Sequence, residues 1–174
     1  MRAPAWMTCM VIICAIGGID AASAQPAATG CASEQKPNAA QTLRCRDGLI
    51  IVAEDGARFT LQSHGKGGDV EGVDLQSKAL MVDAPKQKGK QRFQVITPQA
   101  IAAVRGTKWA VDAQASRTSV LVLQGQVAVG RPGGGKQVVL GPGEGVDVDA
   151  GAEPLVVKRW GQPRVDALLA RLGQ

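Results

Sequence analysis

The chain has 174 residues, with 20 Lys and Arg against 15 Asp and Glu, one His, four Cys and no Tyr, for a formal charge of +5. A single imidazole and no phenol exclude a multi-histidine metal cage and most general acid/base schemes, leaving Asp/Glu chemistry as the one enzymatic route in reserve. The composition therefore points to a non-catalytic protein without a cofactor.

Arg2, an apolar stretch from Trp6 to Ile19 and the small triplet Ala22-Ser23-Ala24 before Gln25 have the layout of a cleaved secretory signal. The uninterrupted apolar part, Met7 to Ile19, is short against the roughly 20 residues of a spanning helix. Residues 1–24 are thus expected to be a signal peptide, and the mature chain to work in the periplasm with no stable membrane insertion. Cleavage removes Cys9, Cys14, Arg2 and Asp20, taking basic residues from 20 to 19 and acidic ones from 15 to 14, so the charge stays at +5. The remaining roughly 150 residues suit one domain with a single core. Cys31 and Cys45 are left as an even pair, which in an oxidising compartment reads as one disulfide. Closing a loop of about 15 residues contributes ~3 kcal/mol in the chain-entropy model. A redox-active pair would instead need Cys-x-x-Cys spacing or an activated thiolate.

Residues 25–42, rich in Ala, Pro, Asn and Thr, form an N-terminal arm without apolar periodicity, and the β domain is expected over 43–157. Leu49 to Ala53 and Arg58 to Leu61 read as two strands joined by a tight turn at Asp55-Gly56. After a Gly-rich break, Val70 to Val82 alternates through Val73, Leu75 and Leu80. Phe93, Val95 and Ile96 start a strand that Pro98 ends. Trp109 to Ala113 is another. Ser119 to Leu123 and Gln126 to Val129, joined at Gln124-Gly125, have the strongest hairpin signal, with Gly125 supplying a positive φ. Their apolar runs on both faces predict strands covered on both sides. Val138 to Leu140 and Val146 to Val148 close the series across Pro142-Gly143-Glu144-Gly145. Strands at roughly 8 to 12 residue spacing predict an all-β, antiparallel sandwich or jelly-roll-like domain. Residues 158–174 form a linker and one short amphipathic C-terminal helix. Pro163 suits its first turn, Val165, Leu168, Leu169 and Leu172 form a stripe, and Gly173 can cap it. A helix of about 10 residues is unstable undocked, so the stripe is expected to pack on the sheet beside Trp160, with a partner-binding stripe as the alternative.

Phe93-Gln94-Val95-Ile96-Thr97-Pro98-Gln99-Ala100, continuing through Val104-Arg105-Gly106-Thr107-Lys108-Trp109, resembles the central motif of FecR-domain proteins. The block around Gly125 and the block Val139 to Gly145, which includes Gly143 and Gly145, resemble that family's next two blocks in the same order. The resemblance implies an extracytoplasmic, all-β, non-catalytic domain. In the best-known members this domain relays the state of an outer-membrane receptor to a sigma factor. Those members carry a cytoplasmic segment ahead of their apolar stretch, and this chain reads as a freestanding secreted form. A protein partner in the cell envelope, in a protein-interaction or sensory role, is the leading expectation.

Lys86, Lys88, Lys90 and Arg92 recur at period two, which in an extended chain puts them on one side. They read either as a stripe for an anionic cell-envelope polymer or ligand, or as a lysine-defended loop or edge. Nucleic acid is not expected, because the stripe has no interleaved aromatics. Arg105 can bind a carboxylate or phosphate bidentately, or satisfy groups inside the fold. His64 has no second imidazole to share a metal with. Asp147 and Asp149 alternate with valines and are expected to face solvent, as are Asp69 and Glu71. None of these carboxylates sits in an apolar setting that would raise its pKa for hydrolysis. Gly133-Gly134-Gly135 lacks the strand-to-helix setting of a phosphate loop and reads as a turn.

Overall fold

The computed structural model describes residues 30–35, 37–64, 68–86, 92–104 and 106–174, without the side chain of His64. Residues 1–24, and with them the expected signal, lie outside that set. The described residues form an all-β structure with one short C-terminal helix, arranged as two layers that share a single long strand. The larger layer runs in the order β1 (Cys31–Glu34), β2 (Gln41–Cys45), β3 (Ile50–Ala53), the second half of β5 (Asp69–Ala84), β8 (Thr107–Ala113), β9 (Arg117–Gln124), β12 (Glu144–Asp149) and β13 (Lys158–Arg159). The smaller layer contains β4 (Arg58–His64), the first half of β5, β6 (Phe93–Ile96), β7 (Ile101–Val104), β10 (Val127–Gly130) and β11 (Val138–Leu140). Pairing is antiparallel except between β5 and β6, which run parallel from Gly72↔Gln94 to Asp74↔Ile96.

Alternation decides which side chains meet between the layers. From the larger layer come Ile51, Leu80, Val82, Trp109, Val111, Val120, Val122, Val146 and Val148, and from the smaller Val73, Leu75, Phe93, Val95, Val104, Val127, Val129 and Leu140. Trp109 fills the centre fully buried, and its indole Nε1 has no hydrogen-bond partner among the described residues.

The sheet takes in more of the N-terminus than its composition predicts. Within the expected irregular arm, residues 31–34 form β1, paired with β2 from Cys31↔Cys45 to Glu34↔Thr42. The Cys31–Cys45 disulfide joins opposite residues of that ladder. β7 and the two-residue β13 also lack a sequence signal of their own. Ile101-Ala102-Ala103-Val104 is too rich in Ala to read as a strand, and its place is fixed by ladders to β6 and β10 on either side.

Two expected hairpins are not formed. β3 and β4 do not pair with each other. β3 pairs with β2 and with the second half of β5, while β4 pairs with its first half. The chain changes layer at this corner twice, once at Asp55-Gly56 and once where β5 bends at Lys78, which has a φ of 67°. The corner is tied by the Lys78 ammonium donating to the Asp55 carbonyl and by Glu54 N–H donating to the Ala79 carbonyl at 2.9 Å. Likewise β9 pairs with β8 and β12, whereas β10 pairs with β7 and β11, so Gln124-Gly125-Gln126 crosses between layers. Inward-facing apolar residues in both strands satisfy a sandwich corner as well as they would a hairpin.

The motif glycines sit at such crossings. Gly106 lies between β7 and β8, Gly125 between β9 and β10, and Gly143 between β11 and β12, with φ of 70°, 86° and 77°. A Cβ on Gly125 would stand 2.9 Å from the Gly106 carbonyl oxygen and 3.2 Å from Thr107 Cα. The buried Thr107 hydroxyl closes this contact by donating to the Gln126 carbonyl at 3.1 Å. Thr97-Pro98-Gln99-Ala100 makes the β6–β7 turn, with Pro98 exposed and Thr97 and Gln99 buried. Ala100 N–H donates to the Thr97 hydroxyl at 2.9 Å, that hydroxyl lies 2.8 Å from Thr118 Oγ1, and Thr118 donates to Gln99 Oε1 at 2.9 Å. The motif thereby pins one layer's turn to a strand of the other.

Two stability outcomes follow. Thr118→Val should cost about 1–3 kcal/mol by leaving the buried Gln99 Oε1 without its donor. Gly125→Ala and Gly134→Ala should each lose roughly 1–2 kcal/mol for a left-handed conformation. Gly125→Ala should lose more, because a Cβ on Gly134 meets nothing within 4 Å. Urea unfolding of the purified variants measures all three.

Candidate functional site

The outer face of the larger layer is apolar where β3, β5, β8 and β9 contribute Val52, Ala79, Met81, Ala110 and Leu121. A sheet face with these side chains needs a cover, and α1 (Gln162–Arg171) provides it. Leu168 and Leu172 are buried there beside Trp160, with Val165 and Leu169 partly buried at the margin. The expected docking of the stripe beside Trp160 is what the structure shows, and it explains why the β9 run is apolar on both sides. Pro163 lies in the first turn, and Gly173 takes a φ of 69° just beyond the last.

Two arginines seven residues apart, and therefore on nearly the same side of α1, fix the helix to carboxylates on the sheet. Arg171 forms a fork between two of them. Its Nη1 donates to Asp112 Oδ2 at 2.7 Å, its Nη2 to Asp112 Oδ1 at 3.0 Å and Glu54 Oε2 at 2.6 Å, and its Nε to Glu54 Oε1 at 3.2 Å. The hydrogen bonds it donates to Asp112 and then to Glu54 push the Arg171 pKa above its already high ordinary value, so the guanidinium is permanently charged. Near the other end of the helix, Arg164 donates to both Asp147 oxygens, at 2.5 and 3.0 Å, and to the Ser119 hydroxyl at 3.2 Å. Its guanidinium carbon stands 3.5 Å above the centre of the Trp160 ring, a cation–π contact.

Partial burial of Asp147 acts to raise its pKa. The hydrogen bonds from Arg164 and Ser119, with the charges of Arg164 and Arg117, outweigh that and hold it below the usual carboxylate range. Asp147 thus faces outward as expected but is held by an arginine, and Asp149 is bonded to Arg117 at 2.6 Å. These two carboxylates line a cleft of about 260 Å³ with Arg117, Lys158, Trp160 and Val156. A carboxylate pair working as acid and base needs one member with a raised pKa. Here both are committed to arginines and Asp147 is shifted the other way. Among the described residues no group of three or more His, Cys, Asp and Glu could hold a metal ion, and no helix is long and apolar enough to cross a membrane.

Of the residues singled out in the sequence, Lys86 and Arg92 are both exposed. Lys88, Lys90 and Arg105 lie outside the described residues, so the period-two stripe is described only at its ends. Lys86 folds its aliphatic stem over Gly106, where a Cβ would come within 2.2 Å of Lys86 Cγ. Thr97, Gly106, Thr107, Gly125 and Gly143 serve corners and turns, Val104 is buried in the core, and Gly145 admits the edge of Trp160, whose Nε1 a Cβ would approach to 2.3 Å. The acidic receptors of the helix were not legible. Glu54 and Asp112 lie 117 and 59 residues from Arg171 in sequence. The one available signal was the Arg164/Arg171 spacing on either side of the leucine stripe.

The model of the FecR protein family matches residues 34–128, more than half of the chain. The chain belongs to the FecR family. The matched segment runs from the end of β1 into β10, so β11 to β13 and α1 of this FecR protein lie beyond it. Two crystal structures of a candidate anti-sigma factor from Parabacteroides distasonis ATCC 8503 share the fold. They have TM-scores of 0.62 and 0.61 at 22% and 21% identity. Each alignment covers 76% of this chain and 61% of the other, so this FecR protein spans less than two thirds of the length of those neighbours. No curated protein matches the sequence.

The depressed Asp147 pKa carries a sign. Its contribution to stability is complete above the unfolded carboxylate value of about 3.9 and is lost as pH falls through the lower folded value. Far-UV circular dichroism and Trp fluorescence should therefore show α1 firmly docked from neutral pH to about pH 5, and loosening first below about pH 4. Asp147→Asn should flatten that acid limb.

Proposed function

We propose that this FecR protein is a periplasmic, non-catalytic binding module that serves as a protein-interaction or sensory accessory in the cell envelope. Family membership over residues 34–128 is the observation that carries this reading. The likeness to a candidate anti-sigma factor supports a regulatory setting. The shape of the molecule suits it. The space between the layers is packed with apolar side chains, and most of the described motif residues serve corners, turns and packing, so recognition falls to edges, loops and the outer faces. Val139 and Val156, exposed at 60% and 57%, are the large apolar side chains left uncovered among the described residues, and both lie in the part of the chain beyond the family match.

Cell fractionation and N-terminal sequencing test the location, with a mature protein beginning at Gln25 in the periplasmic fraction as the expected result. A photo-reactive amino acid at position 139 or 156 tests the binding role in cells. A discrete cross-linked protein adduct from the envelope is expected. Recovery of the intact precursor in the cytoplasm, or no adduct from either position, would refute the reading.

A further inference from the structure

We propose that the outer face of the larger layer is a helix-docking groove, filled at rest by the chain's own α1 and open to an amphipathic helix of a partner protein with the same basic–leucine–basic pattern. The inference rests on the protein-interaction reading above and names the partner's chemistry.

The groove is built without the helix. Its floor of Val52, Ala79, Met81, Ala110 and Leu121 comes from strands whose other faces are buried between the layers, and that inner core contains no residue of α1. Its anion receptors are also set in advance by bonds within the sheet. Glu54 Oε2 accepts Ala79 N–H at 3.0 Å, Asp112 accepts the Gln114 side-chain amide at 3.1 and 3.2 Å, and Asp147 Oδ1 accepts the Ser119 hydroxyl at 2.6 Å. Carboxylates already oriented lose little freedom when a cation arrives, which is how a binding site differs from a chance ion pair.

The helix, by contrast, is held almost entirely by what it lies on. Its N-cap, Gly161, makes no side-chain capping bond, and its first turn has no acidic residue. It has 10 residues, too few to persist undocked. Residues 150–157, which lead to it, contain no strand or helix, and β13 pairs over two residues. The two arginine attachments are partly open to water, with side chains exposed at 46% for Arg164 and 36% for Arg171. Such contacts open and re-form locally while the core strands remain folded. The occupant that fits is defined by the one seated there: an arginine at each end of a two-turn span to meet Asp147 and the Glu54/Asp112 pair, and leucines between and just beyond to cover Ala79, Met81 and Leu121.

A fluorescein-labelled peptide of residues 158–174 tests the groove on the purified full-length chain by fluorescence anisotropy. Saturable one-to-one binding is expected, roughly tenfold or more tighter for a chain with Arg164→Gln and Arg171→Gln, whose own helix competes less. A peptide with Arg164→Glu and Arg171→Glu should not bind. The proposal fails if neither chain binds the peptide, or if the charge-reversed peptide binds equally. It also fails if sedimentation shows the chain pairing by exchange of its own helices, since a second copy would then be the occupant. If the double variant does not fold, amide hydrogen exchange on the unaltered chain decides. Exchange of α1 ahead of β8 and β9 supports the groove, and exchange of α1 only by global unfolding overturns it. Because this assay uses a synthetic helix, its failure is separable from failure of the cross-linking in cells.

Discussion

The repeated change of layer is the constraint on which the rest of this structure depends. A chain that stacks two sheets in this strand order leaves one sheet and enters the other repeatedly, and each passage forces the backbone through a corner. Here the passages fall at Asp55-Gly56, at the Lys78 bend, between the end of β5 and the start of β6, at Gly106, at Gly125 and at Gly141 to Gly143. Where two corners touch, as the backbones of Gly106 and Gly125 do, there is no room for a side chain. The glycines of the family blocks are thus explained by packing and backbone geometry. They mark the architecture of the domain more than any surface it uses.

That division of labour gives most of the described motif residues a role inside the fold. The Thr97–Gln99–Thr118 hydrogen bonds and the Thr107–Gln126 bond tie turns of one layer to the other, and Thr97, Gln99, Thr107 and Thr118 are buried. What faces outward beyond the family match, in the segment after β10, is two exposed valines, most of a charged cleft and a helix bound by two arginines. The helix contact is mixed in character. Apolar burial of Leu168, Leu172 and Trp160 supplies most of the driving force, and the carboxylate–guanidinium forks, partly open to water, fix register and orientation and add a smaller share of the stability. The disulfide at the edge of the same layer fastens β1 to β2.

Much of the fold was legible in the chain. The alternation from Val70 to Val82, the strands around Trp109, Val120 and Val127, the all-β class and the terminal helix with Pro163 and Gly173 were all readable, because side-chain period and turn chemistry are local properties. The Cys31/Cys45 pairing was readable from count and spacing. The two failed hairpins, at Asp55-Gly56 and Gln124-Gly125, share one cause. A glycine with positive φ between two apolar runs satisfies a hairpin and a sandwich corner equally, and only the competition among possible strand partners separates them. β7, written as Ile-Ala-Ala-Val, was hidden for a related reason: its strand character comes from the neighbours that pair with it.

By itself the sequence determined the strand-rich class, the cross-link, the family and the amphipathic face of α1, since each is carried by residues close together in the chain. Only the tertiary structure decided that β5 belongs to both layers, that β5 and β6 run parallel, and that Glu54, Asp112 and Asp147 converge under one helix. The physical reason is sequence separation. Glu54 and Arg171 stand 117 residues apart and meet at 2.6 Å because strands β3, β5 and β8 set the carboxylates side by side on a face that an apolar helix had to cover.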